Sequence, residues 1–201
     1  MKDLTLARIT PRLGLDLPRY HLRLGRVVHA AAELQLFRVQ TTLLLSNDLT
    51  GETELHLSPD ALDPAPAVEA AQRQAAAAPA QHGSQLVVEL PGWRDAAGRS
   101  PFWEAFGARF FKGDPAAAEA QLGPAWRTHL AALLPRQLVY LSFLGEAAEA
   151  CAGRVRADAE PLVQALSALG FEPSGQLRLD DGGPVMRRRL QLSGPVDSTM
   201  R

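Results

Sequence analysis

The chain has 201 residues, of which 46% are hydrophobic and 21% are charged, and its formal net charge is −1. This composition fits one globular domain with a sizeable core, and it gives no general attraction to nucleic acid or to an anionic membrane. The single cysteine, Cys151, excludes an internal disulfide, and no Cys/His set has zinc-site spacing. No apolar run approaches the roughly 18 residues that span a bilayer, and no signal peptide is recognisable, so we expect a cytoplasmic protein.

The first half of the chain predicts mainly strands. A short strand is predicted at residues 4–9. Residues 22–36 are ambiguous, because LRLGRVV alternates as a strand does, whereas AAAEL fits either a helix or a continued strand. Residues 41–45 (TTLLL) and 53–57 (TELHL) are predicted strands, and the polar residues between them predict a turn that joins them as a hairpin.

The second half predicts helices and three more strands. An Ala-rich helix is predicted over residues 67–78 and a buried strand over residues 85–90. Ser100 is a good N-cap for a helix with one aromatic face, formed by Phe102, Trp103, Phe106 and Phe110. Further helices are predicted at residues 115–122, 125–134, 145–152 and 160–169, and strands at residues 176–180 and 185–192. The succession predicts an α/β (α+β) fold, a mixed sheet flanked by helices in one domain over residues 1–192, with a disordered tail at 193–201.

Five segments carry a resemblance to a known family. They are GRVVHAAAELQLF (25–37), LLLSNDLTG (43–51), SPFWEAFGARFF (100–111), AALLPRQLVY (131–140) and GFEPSGQLRLDDGGP (170–184). In this order they resemble the arginine N-succinyltransferase family. The resemblance implies a GNAT-like acyl-CoA N-acyltransferase fold and transfer of a succinyl group from succinyl-CoA to the α-amine of arginine, sometimes ornithine. Succinyl-CoA is then a co-substrate, and neither a permanently bound cofactor nor a metal is expected.

The chain also departs from the family pattern. It is expected to lack the family's N-terminal strands and C-terminal extension. Residues 62–72 (LDPAPAVEAAQ) correspond to the family's CoA pyrophosphate loop, but they contain no glycine, their prolines lack N–H donors, and Asp63 and Glu69 repel phosphate. The family's proposed proton-donating histidine corresponds to Arg156, which cannot exchange a proton near neutral pH.

Three polar residues of the matched region are candidates for acid–base chemistry. They are His29, Asp48 and Glu89. His29 also fits a hydrogen-bonded core histidine, and Glu89, at the end of a buried strand, also fits a structural salt bridge.

Two further sets of residues are candidates for ligand binding. Ser46, Asn47 and Asp48 could line a substrate pocket, since a carboxylate suits a guanidinium, or could cap a turn. By the resemblance, the backbone of Leu55 and Leu57 would bind the pantetheine arm of the cofactor.

Two functional hypotheses follow. The first is an active arginine N-succinyltransferase, which binds arginine or a related amine. The alternative is a catalytically inactive paralogue that acts as a metabolite-binding or partner subunit. Beside these two functions, the sequence also fits a decayed remnant with no selected function. In either case the absence of the first strands predicts an uncovered sheet edge, and hence a homo- or hetero-oligomer.

Overall fold

A computed structural model of the chain describes residues 7–58, 61 and 63–192. The predicted residues 4–6 of the first strand and the tail at 193–201 lie outside this part. Within the described residues, eight strands form one sheet in the order β1-β4-β5-β8-β7-β2-β3-β6. The strands are β1 (Ala7–Thr10), β2 (His21–Ala31), β3 (Leu36–Ser46), β4 (Thr53–Leu57), β5 (Gln85–Glu89), β6 (Val139–Tyr140), β7 (Glu172–Leu177) and β8 (Pro184–Arg189). The helices of the described part are α1 (Ala65–Ala77), α2 (Pro101–Ala105), α3 (Pro115–Leu122), α4 (Ala125–Leu133), α5 (Glu146–Cys151) and α6 (Glu160–Ala168).

The helices cover the sheet in two groups, and each group buries its own hydrophobic cluster. Helices α1 and α6 pack on β4, β5 and β8, where Leu55 and Val88 of the strands meet Val68 and Leu166 of the helices. Helices α2, α4 and α5 pack on the other half of the sheet. The larger members of that second cluster are Leu22, Leu43, Phe102, Phe106, Trp126, Leu130 and Leu177. The mixed sheet flanked by helices, as predicted from the sequence, is confirmed.

The predicted hairpin between residues 41–45 and 53–57 is wrong. Strand β3 pairs with β2 in a long antiparallel ladder, from His21–Ser46 at one end to Ala31–Leu36 at the other. Strand β4 instead pairs with β1 and β5. The polar turn after β3 therefore connects strands that are distant in the sheet, and a short 3₁₀ turn at Ala32–Leu34 joins β2 to β3.

The aromatic helix is shorter than its sequence predicts. Ser100 caps α2 by accepting a hydrogen bond from the backbone N–H of Trp103. The helix ends at Ala105, and a 3₁₀ turn follows at Gly107–Arg109. A Cβ atom at Gly107 would collide with the ring of Trp103. A helix-breaking residue stands here because the indole packs directly on the backbone.

The segment between β1 and β2 crosses the sheet on the face opposite α1. Its Leu13 is buried with Leu49, Val87 and Val185. The backbone N–H of Leu13 donates to the Glu52 carbonyl at 2.8 Å, and the Gly51 N–H donates to the Leu13 carbonyl at 2.7 Å. This anchoring fixes the segment as one wall of a pocket. Among the described helices, none is long and apolar enough to cross a membrane.

Candidate active site

A pocket of about 670 Å³ opens on the face of the sheet opposite α1. The side chains of a strand alternate between faces, so the neighbours of the buried Leu55 point into this pocket. Its lining comes from β1, β4, the end of β5, the segment before β2, and the α3–α4 region. The charged residues of the lining are Arg8, Arg12, Asp16, Arg19, Glu54, Glu89, Glu119, Arg127 and Arg178. A volume of this size accommodates a small-molecule ligand.

The pocket lies where β4 separates from β5. The two strands run parallel, and their ladder contains only the pairs Thr53–Leu86 and Glu54–Val87. Beyond Glu54, β4 continues its ladder with β1 alone, at Leu55–Ile9, His56–Arg8 and Leu57–Ala7. Leu55 and Leu57, whose backbones would bind the cofactor according to the family resemblance, therefore lie beside the gap, and both line the pocket.

A cluster of buried charges forms the inner wall, and we call it the Glu89 cluster. Its members are Arg19, His21, Glu54, Glu89, Arg127, Arg178, Asp180 and Asp181. Glu89 is its centre: Arg19 donates to its Oε1 from Nη2 at 2.7 Å and from Nε at 3.0 Å. His21 Nε2 lies 2.9 Å from the same oxygen, and Arg127 binds the other oxygen.

The contact between His21 and Glu89 shows how strongly the sheet curls. In the sheet order, β8 and β7 lie between β5 and β2, so a flat sheet would separate the two residues by about 14 Å. The curl brings the start of β2 over the end of β5. The cluster therefore joins parts of the fold that are distant in both the sequence and the sheet.

The charges within the cluster shift the pKa values of its carboxyl groups in different directions. Burial by itself would raise the pKa of Glu89, but the cations of Arg127 and Arg19 outweigh it and hold that pKa well below its usual range. The same balance, with Arg178 and Arg127 as the cations, lowers the pKa of Asp180. For Asp181, burial and the neighbouring Asp180 anion raise the pKa. A carboxylate held as firmly ionised as Glu89 is a weak proton acceptor, so its chemistry here is to fix the surrounding cations.

The remaining candidates of the SNDLTG segment lie away from the pocket. Ser46 Oγ donates to Gln176 Oε1 at 3.1 Å, and Gln176 Nε2 donates to Asp48 Oδ2 at 3.1 Å. Asp48 also pairs with Arg23 at 3.2 Å. The carbonyl of Asn47 accepts from Thr50 N–H at 2.9 Å, as in a turn. These contacts tie the turn to β2 and β7.

His29 and Arg156 also lie outside the pocket lining. The ring of His29, on β2, is 5.9 Å from that of Tyr140, and its buried Nε2 has no hydrogen-bond partner within the described part of the chain. Arg156 donates to Asp158 at 2.6 and 2.8 Å on the surface. Of the acid–base candidates, Glu89 alone is brought to the pocket.

The start of α1 has none of the features of a phosphate cradle. Pro64 occupies the N-cap position without a side-chain cap, and Pro66 lies in the first turn and lacks an N–H group. The N–H of Ala65 donates to Asp63 Oδ1 at 3.0 Å, so a carboxylate already occupies this end of the helix. In the residues described, no group of His, Cys, Asp and Glu could hold a metal ion.

Several residues of the site carry little sequence signal. Arg127 does carry one: it lies on the buried face of α4 beside Trp126, Leu130 and Ala131, where a charged residue needs a partner. Arg19 lies in the irregular segment before β2 and Asp180 lies in a turn after β7. The partners of Arg19 are Glu89 and Glu54, which are distant from it in the sequence.

The mixed sheet with a gap between two parallel strands, lined by charged side chains, defines a GNAT-like acyltransferase fold. A sequence model of the arginine N-succinyltransferase beta subunit family matches residues 4–193. The chain belongs to this family.

Individual relatives agree with this assignment. The chain is 34% identical over 207 aligned residues to an arginine N-succinyltransferase of Yersinia enterocolitica, covering 100% of this chain and 60% of that protein. It is 35% identical to the arginine N-succinyltransferase subunit beta of Pseudomonas aeruginosa, covering 92% of this chain and 56% of that one. The solved structure of arginine/ornithine succinyltransferase subunit AI from Pseudomonas aeruginosa superposes with a TM-score of 0.68 at 27% identity, covering 90% of this chain and 54% of that chain. The chain thus spans between 54% and 60% of the length of these relatives.

Proposed function

We propose that this protein is an arginine N-succinyltransferase that transfers the succinyl group of succinyl-CoA to the α-amine of arginine or a related amine. The observation that carries the proposal is the pocket at the gap between β4 and β5, in a chain of this family. The gap gives an acyl donor a route to the pocket, because the backbone edge of β4 beyond Glu54 has no ladder partner from β5. Succinyl-CoA would be consumed as a co-substrate. A cytoplasmic location belongs to the same proposal.

The charges of the pocket suit the two substrates. Arginine carries a guanidinium and an ammonium group, for which the exposed Glu119 supplies a carboxylate. Both arginine and the succinyl group carry a carboxylate. Arg12 lines the pocket, is exposed and has no ion-pair partner among the described residues, so it is free to bind one. Its φ of 54° lies in the left-handed region, a strained conformation that often accompanies binding sites.

The test is product formation by the purified protein. Incubation with succinyl-CoA and arginine should release CoA thiol and yield N-succinylarginine in equal amounts, as measured by a thiol reagent and by mass spectrometry. The same reaction with ornithine or lysine in place of arginine measures the selectivity for the side chain of the amine substrate. Failure to form product with enzyme and substrate at similar concentrations would refute the proposal.

A matched pair of variants tests whether the pocket is the site of turnover. Arg12→Gln removes a cation of the pocket that has no ion-pair partner among the described residues, and it should raise the KM of a carboxylate-bearing substrate roughly tenfold. Arg38→Gln removes an exposed cation on β3, outside the pocket, and should leave both KM values unchanged. Equal KM values for the two variants would show that the pocket does not bind the substrates.

The start of α1 favours a second candidate function, binding without turnover. Asp63 and two prolines stand where a pyrophosphate would need N–H donors. A metabolite-binding or partner subunit would bind arginine but not CoA. Calorimetry with each ligand separately distinguishes the two functions, since only the enzyme needs to bind both.

We also propose that the protein forms an oligomer, because two of the relatives are named as subunits. On one face of the β2–β3 ladder, Val28, Phe37 and Val39 are 56%, 72% and 50% exposed. An apolar face of this kind is typical of a contact with another chain. Sedimentation of the protein should therefore show a homo- or hetero-oligomer, and a compact monomer at high concentration would contradict this part of the proposal.

A further inference from the structure

We infer that Arg8, oriented by His56, binds the free carboxylate of the acyl donor and so selects a dicarboxylic acyl chain such as succinyl, an inference that rests on the proposed function. Arg8 on β1 and His56 on β4 are direct partners in the antiparallel ladder, and both line the pocket. Cross-strand partners point to the same face of a sheet, so the two side chains leave it together on the pocket side. We call this pair the carboxylate subsite.

The guanidinium of Arg8 has room for an anion. Arg8 donates from Nη2 to His56 Nε2 at 3.1 Å, and it forms no ion pair with a carboxylate in the described part of the chain. By contrast, Arg19, Arg127 and Arg178 of the same pocket are each paired with a buried carboxylate. Only one hydrogen of Nη2 is needed for His56, so a full edge of the guanidinium can bind a carboxylate through two parallel N–H···O bonds.

His56 fixes the direction of this guanidinium. Arg8 can only donate, so Nε2 of His56 accepts, and the hydroxyl of Thr10 lies 3.1 Å from the same nitrogen. The proton of the neutral ring is therefore on Nδ1. A long arginine side chain loses rotamer freedom when it binds a ligand, and a contact that orients it beforehand reduces this cost.

The carboxylate of Glu54 lies near the subsite but is withdrawn into the wall of the pocket. Its Oε2 is 3.0 Å from His56 Nε2, and its Oε1 pairs with Arg19 at 3.4 Å. The side chain of Glu54 is 3% exposed, whereas that of His56 is 32% exposed. An incoming anion therefore meets the exposed Arg8 before it meets this carboxylate.

The position of the subsite favours the acyl donor as the source of the carboxylate. Arg8 and His56 lie on the strands beside the gap to β5, which is the proposed route of the acyl donor. The exposed carboxylates of the lining, Asp16 and Glu119, belong instead to the segment before β2 and to α3. They suit the cationic groups of the amine. Opposite charges on different walls would hold the two substrates in one relative orientation.

The test is a pair of substrate comparisons in the wild-type protein and in Arg8→Gln. Butyryl-CoA has a methyl group in place of the terminal carboxylate of succinyl-CoA, and argininamide has a neutral amide in place of the carboxylate of arginine. We expect Arg8→Gln to lower kcat/KM for succinyl-CoA roughly tenfold or more, while kcat/KM for butyryl-CoA stays within about twofold. The preference for arginine over argininamide should not change.

A matched control and two contrary outcomes make this comparison decisive. Arg38→Gln removes an exposed cation of β3 outside the pocket and should match the wild-type protein with all four substrates. Circular dichroism melting checks that the variants fold. An equal fall for succinyl-CoA and butyryl-CoA in Arg8→Gln would show a merely structural role. Loss of the preference for arginine over argininamide, with the succinyl preference kept, would assign the carboxylate to the amine. Either result overturns the inference.

Variants of His56 test its positioning role. His56→Leu removes the acceptor for Arg8 and should lower the ratio of kcat/KM for succinyl-CoA to that for butyryl-CoA roughly fivefold. His56→Gln offers an amide oxygen in place of Nε2 and should keep this ratio within about twofold of the wild-type value. An unchanged ratio in His56→Leu would exclude the positioning role. Nitrogen-15 NMR at about pH 8, where the ring is neutral, should show the proton on Nδ1; a proton mainly on Nε2 would exclude the contact with Arg8.

Binding measurements separate this inference from the proposed function. Calorimetry gives the Kd of succinyl-CoA and of butyryl-CoA without any turnover. A wild-type protein that binds succinyl-CoA roughly tenfold more tightly, with this preference lost in Arg8→Gln, supports the subsite even when no product forms. Turnover with equal Kd and equal kcat/KM for the two acyl donors overturns the subsite and leaves the proposed function intact.

Discussion

Replacing Glu89 by glutamine tests whether the Glu89 cluster stabilises the fold. The substitution keeps the size of the side chain but removes the anion that Arg19, His21 and Arg127 share. Arg127 keeps Asp180 at 3.2 Å, and Arg19 keeps Glu54 at 3.4 Å. Removing one partner of a buried pair costs about 3–5 kcal/mol. Because both arginines keep a second carboxylate, we expect a loss of about 3 kcal/mol.

The effect should depend on pH with a definite sign. The pKa of Glu89 is lowered in the folded protein, so its contribution is complete above the unfolded-state pKa of about 4.3 and is lost as the pH falls through the folded-state pKa. The stability difference between wild-type protein and Glu89→Gln should therefore be constant between about pH 5 and about pH 8 and should shrink below about pH 4.

Urea denaturation followed by circular dichroism measures this difference, and calorimetry should show a Tm lowered by roughly 6–12 °C for a chain of this length. Glu69→Gln is the matched control, because Glu69 pairs with Arg73 at 3.6 Å with both side chains 71% exposed. The control should cost less than about 0.5 kcal/mol. If Glu89→Gln also lies within about 1 kcal/mol of the wild-type protein, the cluster does not stabilise the fold as argued.

Three further predictions concern packing. Gly92→Ala should cost about 2 kcal/mol or more in urea denaturation, because its Cβ would collide with the carbonyl oxygen of Asp181; an unchanged midpoint would contradict the close approach. Ser100→Ala should cost about 1 kcal/mol by the same assay, because it removes the acceptor for the Trp103 N–H at the start of α2. Cys151 is 2% exposed, and burial raises the pKa of its thiol. A thiol reagent should therefore react with it roughly a hundredfold more slowly in the native protein than in urea, whereas equal rates would show an open site.

Local patterns in the sequence were sufficient to predict most elements. The helix predicted at 115–122 is α3 (Pro115–Leu122), and the capping role of Ser100 is confirmed. The strand predicted at 176–180 lies earlier in the structure, as β7 (Glu172–Leu177). After it the chain turns, and the N–H of Arg178 donates to the Gly183 carbonyl at 2.8 Å. Arg178 also pairs with Asp180 there, a contact that alternation of residue types does not reveal.

The candidate site was predictable only in part, because it depends on strand order. Leu55 and Leu57 line the pocket, as does Glu89, whereas the turn that contains Asp48 lies elsewhere. The assignment of these residues to ligands stays a prediction. The sequence does not predict His56 as a pocket residue. Its partners Arg8 and Thr10 come from β1, and the pairing of β1 with β4 cannot be predicted from either segment alone.

Because the ladder between β4 and β5 is short, we expect ligand binding in the gap to make β1 and β4 more rigid. In the described part of the chain, the ladder that joins the two strands β1 and β4 to the rest of the sheet consists of the pairs Thr53–Leu86 and Glu54–Val87. If a ligand with amide groups enters the gap as proposed, its hydrogen bonds to the backbone of β4 should connect β1 and β4 more firmly to the rest of the sheet. Slower amide exchange in β4 and a higher melting temperature would then accompany filling of the gap, since a ligand that binds only the folded state stabilises it.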